Sequence, residues 1–159
     1  MKFIMKNQAI SIRYGLLIAA ALIIYFLLLS LLGLHTDPIY SLFNGVITGA
    51  GIYLCIKNYQ TYKGMKFKYQ KGFMAGIISG FLATFIFTLF FGIYATNFDP
   101  NFITEILEGW QNDNNTNIAM LLFVVATMGF ATSLVLTLAF MQLFKSSWNT
   151  RQAKKDLAS

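Results

Sequence analysis

The chain has little of what most enzyme chemistry requires. Cys55 is its only cysteine, which excludes an intramolecular disulfide and a paired-thiol redox motif. His35 is its only histidine, which excludes a bis-histidine haem. Charged residues make up 11% of the chain. Soluble proteins carry roughly 25%, so a water-facing surface is in short supply. No Asp, Glu, Lys or Arg occurs within four stretches, about 14–34, 39–56, 73–95 and 118–144. The missing intramembrane carboxylate argues against proton-coupled transport, which generally needs one. There is no phosphate-binding Gly-rich loop, no nucleophile elbow and no His-Glu-x-x-His zinc signature. We therefore expect no catalytic residue, no cofactor and no metal site.

What the chain has is apolar length. Hydrophobic residues reach 57% and gather in those four stretches. At 1.5 Å per residue, 14–34 extends about 31 Å and 73–95 about 34 Å, enough for a hydrocarbon core. The stretch 39–56 is shorter, about 27 Å, and 118–144 is longer, about 40 Å, so the last should tilt or emerge. The first run follows Lys2, Lys6 and Arg13, as a signal peptide would. It is longer than a signal core and no small-residue cleavage site follows, so it reads as a retained helix. The expected fold is an all-α membrane protein, a four-helix bundle of two antiparallel hairpins.

The charges sort by connection. Lys2, Lys6 and Arg13 precede the first span. Lys57, Lys63, Lys66, Lys68 and Lys71 lie in the loop 57–72, and Lys145, Arg151, Lys154 and Lys155 in the tail 145–159. The other two connections hold no Lys or Arg, but hold Asp37, Asp99, Glu105, Glu108 and Asp113. Basic residues in short loops stay cytoplasmic, so both termini are expected in the cytoplasm. The net charge of +6 is thereby explained as topology, and nucleic acid is not an expected partner.

The connections carry their own signals. Asp37-Pro38 and Asp99-Pro100 each read as a helix cap followed by a first helical residue. After the second, Ile103, Ile106, Leu107 and Trp110 fall on one helical face, and Asn101, Glu105, Glu108 and Asn112 on another. This predicts a short external amphipathic helix, 99–112, between the third and fourth spans. Each half of the chain runs through the same order: basic residue, Gly15 or Gly72, span, Asp-Pro, span. A duplicated hairpin and an unduplicated four-span protein both fit that order.

Helices in lipid associate through small residues that admit close backbone approach. Gly72, Gly76, Gly80 and Ala83 mark such a face on the third span, and Gly45 and Gly49 on the second. The fourth carries Ala126, Gly129, Ser133 and Thr137, and the first Ala19, Ala20 and Ala21. These are expected to pack inside the bundle. The sharper alternative is that the third-span stripe docks a partner protein. Intramembrane hydroxyls can bond back to their own helix. Asn44 cannot satisfy its amide that way and is expected to find a partner across the bundle. A hydrophilic pathway through Asn44, Thr48, Ser133 and Thr137 is the alternative. In the loop 57–72, the five Lys alternate with Tyr59, Tyr62, Phe67 and Tyr69. Topology alone accounts for that pattern. A contact with lipid headgroups or a partner through Lys57, Lys63, Lys66, Lys68, Lys71, Tyr62 and Phe67 is the functional alternative.

Three segments resemble a known family: Arg13-Tyr14-Gly15-Leu16-Leu17, Ile56-Lys57-Asn58-Tyr59, and Phe67 to Gly109 (FKYQKGFMAGIISGFLATFIFTLFFGIYATNFDPNFITEILEG). They are similar to domain-of-unknown-function family 4199, four-span proteins mainly from Gram-negative bacteria. The resemblance implies the topology and a bacterial inner-membrane location. It implies no activity, substrate or site residue. Two functional expectations follow from the residues. The first is an accessory or assembly subunit that contacts membrane lipids and another membrane protein or itself. The second is an oligomeric small channel or transporter for an uncharged solute.

Overall fold

A computed structural model describes residues 2–34, 38–64, 67–97 and 118–144. They form four helices: α1 (Lys2–Leu31), α2 (Pro38–Lys63), α3 (Tyr69–Asn97) and α4 (Ile118–Leu143). Each contains a segment long and apolar enough to cross a membrane: Ala9–Leu31, Ile39–Lys63, Tyr69–Asn97 and Ile118–Leu143. No strand occurs among the described residues. The expected external helix 99–112 and the tail 145–159 lie outside them, as does the Asp99-Pro100 cap.

Where the helices stop differs from the apolar bounds, for local reasons. The first apolar run continues to Leu34, but α1 ends at Leu31. Gly33 takes a left-handed φ of 69°. Its N–H donates to Ser30 O at 3.1 Å, and the N–H of Leu34 donates to Leu29 O at 2.9 Å. This crossed pair is a Schellman cap, which glycine adopts without steric cost. Conversely, α2 runs two turns beyond its apolar stretch, into what the charge pattern marks as loop. Lys57 to Lys63 contain no helix breaker, and Thr61 bonds back to Lys57 O at 3.0 Å. The helix yields at Gly64, with φ 50°. At its other end α2 opens on Pro38, where a missing N–H costs nothing.

The helices form a rhombus in section. Both α2 and α3 pack against all three other helices, while α1 and α4 occupy opposite corners without a substantial contact. The centre is a cluster of Ile18, Ala19, Leu22, Ile52, Ile56, Ala83 and Met141. A second cluster gathers Phe26, Phe91, Ala95 and Leu121. There the Phe26 ring meets Phe87, Phe90, Phe91 and Tyr94 edge-on, with centroids 5.0–6.2 Å apart. That geometry is favoured by the ring quadrupole. A third cluster, Cys55, Tyr59 and Ala75, lies toward the Lys-rich end.

The burial pattern inverts that of a soluble protein. The fully buried positions include Ser79, Ser133 and Thr137, with Ser11, Thr48 and Thr84 almost so. The exposed ones include Leu16, Leu17, Ile24, Leu28, Leu42, Val46, Phe85, Phe123 and Val135. Only 11% of the span of α4 is buried. A water-soluble monomer does not expose continuous apolar faces of this extent. With lipid as the solvent, Leu and Ile lose nothing outside, and the small residues inside let the helices approach.

Candidate functional site

The α3–α4 seam is a run of reciprocal small-residue contacts. A Cβ placed on Gly76 would stand 2.6 Å from Thr137 Cγ2, and one on Gly80 would stand 2.6 Å from Ser133 Cβ. One turn further the roles reverse, and a Cβ on Gly129 of α4 would meet Thr84 Cγ2 at 2.5 Å. On the same face, the same added Cβ atoms on Gly76 and Gly80 would stand 3.2 and 3.1 Å from Ile56 Cδ1 and Ile52 Cδ1 of α2. Gly72 is covered by the Phe67 ring and by Met141. Ala83 is buried in the central cluster. The stripe Gly72, Gly76, Gly80 and Ala83 is thus packed against by the chain's own residues.

The other small residues divide. Gly51 holds Ile18 of α1, and Gly15 lies 3.0 Å from the backbone oxygen of Ser79, measured from an added Cβ. Gly49 meets Leu136 and Phe140 at ordinary contact distance, while Gly45 has nothing within 4 Å. In α1, Ala19 is buried, but Ala20 and Ala21 face outward.

Among the described residues the intramembrane polar groups are not joined into one hydrogen-bonded chain. Thr137 donates to Ser133 O at 2.7 Å, as a back-bonded hydroxyl does. Ser133 and Thr137 face α3, and no hydrogen bond joins them to Asn44 or Thr48 of α2 among the described residues. Asn44 departs from expectation. Its Oδ1 is buried and has no hydrogen-bond partner among the described residues, and the same holds for Thr88 Oγ1 and Ser133 Oγ. Buried polar atoms are nearly always paired, so these three stand out.

Sequence reasoning missed one cluster. Where α1, α2 and α3 meet, the Cys55 thiol lies beside the hydroxyls of Ser11 and Ser79. It points to Ala75 O at 3.7 Å. Ser79 in turn donates to Gly76 O at 2.9 Å. A signal for it existed. Ser11, Gly15 and Ala19 recur at four-residue spacing and are all buried. That is the small-residue pattern seen on α3, begun before the apolar run starts.

The basic rim is assembled by aromatic contacts. Lys57 lies 5.9 Å from the Tyr53 ring, and Lys63 lies 5.9 and 5.3 Å from those of Tyr59 and Tyr62. Such cation–π placements fix ammonium groups at a boundary between apolar and wet surroundings. Asn58 donates to Tyr14 OH at 3.1 Å, tying α2 to α1. Lys68, Lys71 and Tyr62 are exposed, and Lys66 lies outside the described residues. Phe67 is half-buried. It turns inward against Tyr59, with centroids 6.3 Å apart, and packs on the central cluster. Among the described residues, no three His, Cys, Asp or Glu side chains gather as metal ligands would.

Four membrane-length helices, apolar outside and packed through small residues inside, define an integral membrane protein. Residues 13–146 match the family described as "Protein of unknown function (DUF4199)", and the chain belongs to that family. No curated protein and no solved structure matches the chain.

Proposed function

We propose that this protein is an accessory or assembly subunit of the bacterial inner membrane, acting through contacts with another membrane protein and with lipids. The observation that carries this reading is the contrast between its filled interior and its open α4. The small residues of α3 are consumed by its own helices. α4 offers Phe123, Met128, Val135, Leu138 and Leu143 to its surroundings. A partner would therefore meet α4 and the outward face of α2, rather than the third-span stripe.

Two antiparallel hairpins with both termini cytoplasmic complete the reading. Tyr25 meeting Tyr40 while Ile18 meets Gly51 supports opposite directions for α1 and α2. The contact of Met141 with Gly72 supports a common side for the end of α4 and the Lys-rich connection. The positive-inside rule supports the cytoplasm as that side.

Affinity purification from native membranes in a mild detergent, followed by native mass spectrometry, tests the subunit role. A stoichiometric second membrane protein, lost on Val135→Trp or Leu138→Trp, is the expected result. A lone homo-oligomer carrying a small solute would instead favour a channel or transporter. The buried, unpartnered Asn44 Oδ1 is the observation on the side of that second reading.

A further inference from the structure

One exterior feature of α1 is not explained by packing or by a protein partner. Ala9, Ile12, Arg13, Leu16 and Leu17 form one open, shallow and almost wholly apolar face of α1, with Arg13 among its residues. All five are exposed, on the side of α1 turned away from Ser11, Gly15, Ile18 and Leu22, which face the bundle. Arg13 is the one cation among them, and it makes no hydrogen bond or ion pair with another described residue.

The level of this face in the membrane matters. Tyr14, next to Arg13, is held by Asn58 at the level of the basic rim. Away from the rim, Leu16 and Leu17 lead on to the exposed Ala20, Ala21 and Ile24. The result is a guanidinium at headgroup level with an apolar track running from it toward the bilayer centre. Arginine presents a planar fork of donors that matches two phosphate oxygens, which an ammonium does not. The same end of the bundle carries Lys57, Lys63, Lys68 and Lys71, and of the acidic residues in the sequence only Asp156 falls in a basic segment. This field favours a headgroup with net negative charge over a zwitterion.

We propose that this face is a phospholipid site, with the phosphodiester of an anionic lipid on Arg13 and an acyl chain along Leu16, Leu17 and Ala20. The site needs only the membrane-spanning character of α1, so it stands or falls separately from the subunit role.

The test uses the purified full-length chain in mild detergent, titrated with phosphatidylglycerol and, separately, phosphatidylcholine, and read by native mass spectrometry. The wild type should retain phosphatidylglycerol in preference. Arg13→Gln should weaken that retention by about fivefold, the effect of one basic residue at an anionic surface, with the helical circular dichroism unchanged. Equal retention of the two lipids, or an Arg13→Gln variant indistinguishable from wild type, would overturn the site. A second variant leaves the arginine in place. Leu17→Trp, reconstituted with lipids brominated on the acyl chain, should show added fluorescence quenching that is stronger with the anionic lipid. Quenching independent of headgroup would also overturn it.

Discussion

Gly80 of α3 lies against Ser133 of α4 so closely that a Cβ on the glycine would stand 2.6 Å from the Cβ of the serine. No side-chain rotation relieves such a contact, because Cβ is fixed to the backbone. The two helices must separate, and the neighbouring Gly76–Thr137 and Thr84–Gly129 contacts separate with them. Gly80→Ala is therefore expected to destabilise the bundle by about 1–3 kcal/mol, the usual range for overpacking. Ser133→Gly should recover much of that loss in the double variant, since contacting residues couple. Unfolding in mixed detergent, followed by circular dichroism for the four proteins of the cycle, measures the coupling. Additive effects would mean that the two positions do not touch.

Gly33 and Gly45 are expected to behave in opposite ways under the same substitution. Gly33 sits at φ 69° and closes the cap of α1. Alanine there must enter the left-handed region, at about 1–2 kcal/mol. Gly45 lies inside α2 with nothing within 4 Å of an added Cβ. Alanine there meets no neighbour and raises helix propensity by up to about 1 kcal/mol. Thermal unfolding should place Gly33→Ala below the wild type and Gly45→Ala level with it or above. A loss at Gly45 would reveal a neighbour packed on that position.

These contrasts define how far the sequence could be read. Membrane spans are written in gross composition, so four helices were legible from the absence of charge alone. Helix ends are written in single residues. Gly33 and Gly64 stop their helices by backbone conformation, which hydropathy does not register, so the first span was drawn past the end of its helix and the second short of it. The small-residue face of α3 was legible because four-residue spacing returns to one side of a helix. Which helix fills that face depends on the order of helices in section, and no local pattern encodes it. The Ser11–Cys55–Ser79 cluster was hidden for a related reason. Its members come from three helices and each is unremarkable alone.

Cys55 offers a direct probe of both packing and orientation. It is fully buried, and its thiol is enclosed by Ser11, Ser79 and Ala75. A polar, membrane-impermeant maleimide should leave it unmodified in the folded protein and label it fully after denaturation in dodecyl sulfate. Rapid labelling of the native protein would contradict the helix arrangement around it. In a Cys55→Ala background, Lys71→Cys should then react only when the cytoplasmic face is exposed, and Asn97→Cys from the opposite side. Reversed labelling would invert the proposed topology.

Asn44 separates the two functional readings. Its Oδ1 is buried without a donor, so the folded state bears a desolvation cost that the unfolded state escapes. Such an atom costs about 1–3 kcal/mol. If the residue serves only the bundle, Asn44→Leu removes that cost at similar volume and should raise the midpoint of detergent unfolding. Thr88 makes a useful comparison, since its hydroxyl is also unpaired and Thr88→Val keeps its shape. A gain at both positions, with partner recovery intact, would fit an accessory subunit that tolerates two imperfect contacts. A gain in stability at Asn44 joined to loss of solute flux in proteoliposomes would mean something different. The unpaired amide would then be held ready for a polar solute, and the transport reading would displace the first.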